Sequence, residues 1–184
     1  MSKSFNLTIH MVCSLDGIIA KRDNTVSWFD TSDRYEKGVS GQDPAEFLKG
    51  IDCYVMGSKT YEHALELSKD FGWAYGDTPT IVLSKRKLSI DRKNIELYSG
   101  NLDKLVNEHL KTKYENVWIA GGADVAKEFI QLKLANELKI SIVPIILGDG
   151  LLFLNQIGTE LSLHLRDVIA YKNGMVELTY EILK

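Results

Sequence analysis

Hydrophobic and polar positions alternate over residues 5–13, where Phe5, Leu7, Ile9, Met11 and Cys13 share one face, and this period of two predicts a first β-strand. Two short apolar runs, Cys53-Tyr54-Val55-Met56 and Val117-Trp118-Ile119-Ala120, read as further strands. Each is followed by glycine and then by helical periodicity, over residues 59–67 and 124–132. Residues 80–84 predict another strand and residues 102–110 another helix. Repetition of strand, turn and helix predicts an α/β fold with a mostly parallel central sheet and helices on its faces. The last third changes character. Residues 138–147 are strand-like, and residues 162–171 and 176–182 flank an Asn173-Gly174 turn signal. That pattern predicts a C-terminal antiparallel hairpin on the sheet edge, with residues 176–182 as the exposed strand.

No repeat, low-complexity tract or linker interrupts the pattern, so the 184 residues are expected to form one domain, 1–184. A chain of this length buries roughly 70% of its unfolded surface and needs neither metal nor disulfide to hold a core. The net charge of -3 excludes a general electrostatic attraction to nucleic acid or to an anionic membrane. No apolar run reaches the ~18 residues needed to span a bilayer. Met1-Ser2-Lys3-Ser4 leads directly into the first strand, so no secretory signal is expected and the location is expected to be cytoplasmic. Cys13 and Cys53 stand alone in apolar segments and read as buried, reduced thiols. The histidines, at positions 10, 63, 109 and 164, match no metal pattern and are expected to be structural.

The candidate chemistry lies at the two glycine turns. A helix that starts immediately after a strand gathers unpaired backbone N–H groups at the positive end of its dipole, an arrangement that suits phosphate. The first turn reads Met56-Gly57-Ser58-Lys59-Thr60 and places two hydroxyls and an ammonium at the helix start. The second, Ala120-Gly121-Gly122-Ala123-Asp124-Val125, offers consecutive residues without bulk, so a flat ligand can lie on the backbone. One such glycine is also an ordinary turn; two in a short chain point to an anionic ligand of the nucleotide kind. Walker A is excluded, because Ser58 separates Gly57 from Lys59 and Asp52 stands where the upstream glycine is required. The Rossmann fingerprint fails too, since Gly148-Asp149-Gly150 runs into Leu151-Leu152-Phe153 rather than a helix start.

In this order the chain resembles the dihydrofolate reductase fold, and more closely the C-terminal reductase domain of bifunctional riboflavin-biosynthesis deaminase-reductases. The resemblance rests on Ser14-Leu15-Asp16-Gly17-Ile18-Ile19-Ala20, on residues 54–62 around Gly57, on Ile81-Val82-Leu83-Ser84, on Ile119-Ala120-Gly121-Gly122-Ala123, and on residues 143–153. It implies a three-layer α/β fold and NADPH across the carboxyl ends of the strands. The pyrophosphate is then expected near Ser58, Lys59 and Thr60 and near Ala123, Asp124 and Val125. The adenosine end is expected beside Leu83, Ser84, Lys85 and Arg86, and Ile19 and Ala20 would line the nicotinamide. Lys85-Arg86-Lys87 is by itself a solvated charge run; at this position it suits a 2′-phosphate and favours NADPH over NADH.

Reduction of C=N or C=O needs a proton as well as a hydride. By the same resemblance Asp43, before a predicted helix over residues 44–49, is the candidate carboxylate; an Asp-Pro pair there also fits a plain helix cap. Asp16 and Trp28 are further candidates, Asp16 through the resemblance and Trp28 through its place in the loop after the first strand. Residues 23–42 depart from both relatives and should choose the substrate. The deaminase partner's zinc motif is absent. The expectation is an NADPH-dependent reductase of a small heterocyclic or carbonyl substrate, paired as a homodimer. Competing readings are a catalytically inactive nucleotide-binding sensor or scaffold and, more weakly, a phosphate-ester enzyme using Lys59.

Overall fold

A computed structural model describes residues 4–23, 25–29, 34–41 and 48–183. Its centre is an eight-stranded sheet in the order β5-β4-β3-β6-β1-β7-β10-β9. The strands are β1 (Asn6–Ser14), β3 (Cys53–Gly57), β4 (Thr80–Leu83), β5 (Ile95–Tyr98), β6 (Asn116–Gly121), β7 (Glu137–Val143), β9 (Leu163–Ala170) and β10 (Val176–Ile182). The six strands from β5 to β7 pair in parallel, and β10 pairs antiparallel with β7 and with β9. A separate two-stranded antiparallel pair joins β2 (Ile18–Ala20) to β8 (Leu151–Leu152).

Alternation along β1 divides the two sides of the sheet. Leu7, Ile9, Met11 and Cys13 belong to one core with α2, a continuous helical stretch over residues 102–113 whose middle, Leu105–Leu110, is a π turn, and with α3 (Ala123–Gln131). Leu105, Val106, Leu110, Ala126 and Phe129 are essentially excluded from solvent there. Burial of each larger side chain of this kind stabilises the fold by roughly 1.5–3 kcal/mol. The opposite side carries Tyr54, Met56, Val82 and Ile95 under α1 (Ser58–Phe71), which contributes Tyr61. Three layers result, as expected from the alternating pattern.

The C-terminal hairpin forms where the pattern placed it, but its order in the sheet corrects the expectation. β10 lies inside the sheet between β7 and β9, so the exposed edge is β9. The reason is visible in the register, which sets Glu177 of β10 opposite Ser141 of β7 and buries both. The strand predicted over residues 138–147 ends at Val143, because Pro144 cannot donate to a ladder. Cys13 and Cys53 are free, buried thiols; burial pushes them up to about 11 and about 12 respectively. No helix among the described residues is long and apolar enough to cross a membrane.

Candidate functional site

Four parallel strands, β1, β3, β4 and β6, end on one side of the sheet, and the two glycine turns follow two of them. Gly57 is the N-cap of α1 and Gly122 the N-cap of α3; both have extended backbone, and neither helix start receives a side-chain cap. The first-turn N–H groups of two helices therefore remain open to a ligand. The turns also touch. A Cβ on Gly57 would stand 3.0 Å from Val125 Cγ2, and one on Gly122 would stand 3.3 Å from Thr60 Oγ1. Each glycine thus makes room for a residue of the other turn, and the two form a single cradle. The Gly121–Gly122 peptide is cis, and Gly121 has φ +103°, a conformation that glycine adopts without steric cost.

The cradle is one wall of a cavity of about 1250 Å³. Of the residues expected to bind cofactor, Ile19, Ala20, Gly57, Ser58, Lys59, Thr60, Leu83, Gly122, Ala123, Asp124 and Val125 line it. Gly121 is set back against Met11, and Ser84, Lys85 and Arg86 lie beyond the lining on the loop after β4. Ser84 Oγ accepts from the Arg86 N–H at 3.2 Å and donates to the Arg86 carbonyl at 2.8 Å, which folds this loop back on itself. Arg86 then reaches Glu62 of α1, a lining residue, at 2.6 Å. The cation run therefore meets the rim of the cavity through an ion pair.

The opposite rim is built by β2 and β8. Gly150 has φ +149°, and a Cβ on it would collide with the Ala20 carbonyl oxygen and stand 2.6 Å from Ile18 Cγ2. Only glycine lets residues 149–151 lie against the Ile19-Ala20 segment. An ion pair between Arg22 and Asp149, both lining residues, ties the same two loops together.

Asp16 sits behind this rim and does not line the cavity. Its oxygens accept from Ser14 Oγ at 2.6 Å, from Gly148 N at 2.8 Å and from Leu147 N at 3.1 Å. The Ser14 hydroxyl, followed by the Gly148 amide, holds its carboxyl down to about 2. In this structure Asp16 fastens the β1–β2 turn to the segment after β7. Trp28, at 6% exposure, is also outside the lining; it packs edge-on against Phe29, which does face the cavity, at 4.5 Å. Asp43 lies outside the described residues, as does most of the predicted helix over residues 44–49.

The structure also brings in residues that the sequence pattern passed over. His10, Val12, His63, Tyr75, Arg22 and Asp149 line the cavity, although histidine in this chain was expected to be structural throughout. His10 Nε2 is 3.0 Å from Ser141 Oγ, and Ser141 donates onward to Glu177 Oε2 at 3.1 Å. Lys139 Nζ reaches the other oxygen of Glu177 at 3.3 Å. The His10 ring stacks on Trp118 at 5.0 Å. Burial pulls His10 down to about 4 against the opposing field of Glu177, with Lys139 adding to the decrease. No cluster of His, Cys, Asp and Glu suited to a metal occurs among the described residues.

Known proteins share both the sequence pattern and the fold. The protein YwjB of Bacillus subtilis strain 168 is 27% identical over 158 residues, covering 86% of this chain and 87% of its own. A candidate riboflavin biosynthesis protein from Shewanella sp. PV-4 superposes with a TM-score of 0.82 at 22% identity, over 98% of this chain and 100% of that one. The diaminohydroxyphosphoribosylaminopyrimidine deaminase/5-amino-6-(5-phosphoribosylamino)uracil reductase of Thermotoga maritima superposes with a TM-score of 0.69 at 15% identity. That match covers 98% of this chain but 57% of the bifunctional protein. With the profile of the RibD C-terminal domain matching residues 6–177, almost the whole fold described above, the chain belongs to the RibD C-terminal domain family.

Proposed function

We propose that this protein is an NADPH-dependent reductase that passes hydride to a small heterocyclic substrate, pteridine- or aminopyrimidine-like, or to a carbonyl. The observation that carries the reading is the single cradle made by the Gly57 and Gly122 turns, where two uncapped helix starts meet at one cavity wall. Its shape suits a pyrophosphate: either Cβ would press on the facing turn, and Ser58, Lys59 and Thr60 stand opposite Ala123, Asp124 and Val125. The reductase named in the Thermotoga match supports the reaction type.

In this reading Ile19 and Ala20 border the nicotinamide, and Ser84, Lys85 and Arg86 receive the adenosine 2′-phosphate. When bound, the cofactor supplies a hydride, and the protein supplies position and exclusion of water. The β2–β8 pair, held by Gly150 and by the Arg22–Asp149 ion pair, closes one side of the cavity. Asp43 is the carboxylate this reading assigns to the proton, and Asp43→Asn should lower kcat by about 10²–10⁴-fold with NADPH affinity retained. A homodimer belongs to the same proposal: β9 is the edge strand, met on its outer side by the Val39 N–H at the Ala170 carbonyl, and Leu163, Leu165 and Val168 further along it are exposed.

The test is NADPH consumption against a panel of dihydrofolate, aminopyrimidine, aldehyde and quinone substrates. Turnover of one of them is expected. Saturable binding without oxidation of any would instead fit an inactive nucleotide-binding module.

A further inference from the structure

Tyr75 stands in the loop between α1 and β4 and lines the cavity. Its ring packs edge-on against Tyr54 at 4.8 Å and against Trp73 at 5.2 Å. Tyr54 lies three residues before Gly57 along β3, which at ~3.3 Å per residue is roughly 10 Å from the first glycine turn. The register sets Tyr54 beside Trp118, three residues before Gly121 on β6, and beside Thr80, the first residue of β4. Tyr75 is therefore rooted at the opposite end of these strands from the cradle. Its loop is fixed as well. The Thr78 N–H donates to the Tyr75 carbonyl at 3.3 Å, the Asn94 side-chain amide to the Thr78 carbonyl at 2.9 Å, and the Tyr54 N–H to the Pro79 carbonyl at 2.9 Å.

Packing accounts for the ring but not for the hydroxyl. The Tyr75 hydroxyl has no hydrogen-bond partner among the described residues and, unlike the Trp73 indole N–H, is not sealed from solvent. Phenylalanine would make the same aromatic contacts, whereas a half-buried hydroxyl that no protein group meets is served only by what enters the cavity. Lys21 and His63, which line the same cavity, are exposed and already served by water. Burial pushes the Tyr75 phenol above its ordinary value, so near neutral pH it keeps its proton and can donate.

We propose that Tyr75 is a specificity-determining residue at the substrate end of the cavity, whose hydroxyl donates a hydrogen bond to a carbonyl oxygen on the heterocycle. The inference rests on the reductase reading, which gives the cradle end to NADPH and leaves the Tyr75 end to the molecule being reduced. A ring carbonyl is a strong neutral acceptor, and it is matched by a donor that stays un-ionised.

The test compares two probes that differ at this acceptor: 2-aminopyrimidin-4-one, which carries the carbonyl, and 2-aminopyrimidine, which lacks it. Each is titrated without cofactor into ¹⁵N-labelled native protein and into Tyr75→Phe, followed by backbone amide shifts. 2-Aminopyrimidin-4-one is expected to bind the native protein with shifts centred on residues 74–76. Tyr75→Phe should weaken it about three- to tenfold, the loss of one neutral hydrogen bond. 2-Aminopyrimidine should bind more weakly or not at all, and any affinity it has should change less than about twofold in Tyr75→Phe. Equal losses for the two probes would reduce Tyr75 to packing. That result, no loss in Tyr75→Phe, shifts confined to the glycine turns, or no binding of 2-aminopyrimidin-4-one would overturn the proposal. NADPH affinity of the native protein is measured separately. If NADPH does not bind while the probes behave as expected, the reductase reading fails and the hydrogen bond from Tyr75 stands.

Discussion

Two short side chains, Ser14 and Asp16, carry the turn that leads from β1 into the cavity rim. Asp16 accepts from Ser14 and from two backbone amides across the rim, and the Ser14 oxygen itself accepts from the Ile18 N–H at 3.0 Å. Because its folded pKa lies at about 2, below the ordinary 3.8, its contribution is complete above the unfolded value and is lost as pH falls through about 2. Urea midpoints measured across that acid window should fall for the native protein, and Asp16→Asn should flatten the part due to this residue. A profile unchanged by the substitution would contradict the role. At the other end of the cavity, Arg86→Ala should weaken NADPH by about ten- to hundredfold and leave NADH nearly unaffected, since a charge-assisted bond to phosphate contributes ~1.5–3 kcal/mol. Equal losses for both cofactors would remove Arg86 from the 2′-phosphate site. The glycines of the cradle were legible as residues, since a strand followed by glycine and a helix has few other meanings. His10 was not: the alternation of β1 draws attention to the apolar face, and its partner Ser141 is 131 positions away in sequence. Asp16 was legible as part of a motif, but the donors that occupy it come from another loop.

At the scale of elements, the parallel core was readable because each βα unit is local: the strand, its turn and its helix are contiguous. The β2–β8 pair was not, since two and three residues are too few to show a period, and the pairing joins distant parts of the chain. β5 escaped for a similar reason: it has four residues, and its polar Glu96 interrupts the apolar run. The position of β10 depended on tertiary pairing, because a hairpin's sequence does not say which of its two strands meets the sheet. Gly150 tests the short pair directly. Gly150→Ala forces a Cβ onto the Ala20 backbone at a φ that alanine rarely adopts, and should destabilise the fold by ~1–3 kcal/mol while weakening NADPH. Thermal denaturation with and without NADPH measures both effects, and an unperturbed variant would show that the rim is not built as described. β9 carries the remaining prediction of this scale. Val168→Lys should shift a dimer to monomer in sedimentation velocity, with no change if the edge strand plays no part in pairing.

For the whole molecule, three layers of apolar packing carry a sheet whose strand ends supply one long cavity, and the cradle occupies the end with two helix starts. The two packed cores reach the cavity through Met11, Ile19, Leu83, Val125 and Tyr75, and its polar lining is added by His10, the helix starts and the charged rim. The sequence pattern predicted this division in outline through the α/β alternation and the family resemblance. The segment over residues 23–42 was not readable in this way, because it has no periodicity. The most direct measurement is titration of the purified protein with NADPH and, separately, NADH, followed by tryptophan fluorescence, since Trp28 packs against the cavity-lining Phe29. A saturable response to NADPH, weaker for NADH and lost in Gly122→Val with the circular dichroism spectrum intact, is the expected result. No saturable response to NADPH, or one unaffected by Gly122→Val, would contradict the assignment of the cradle.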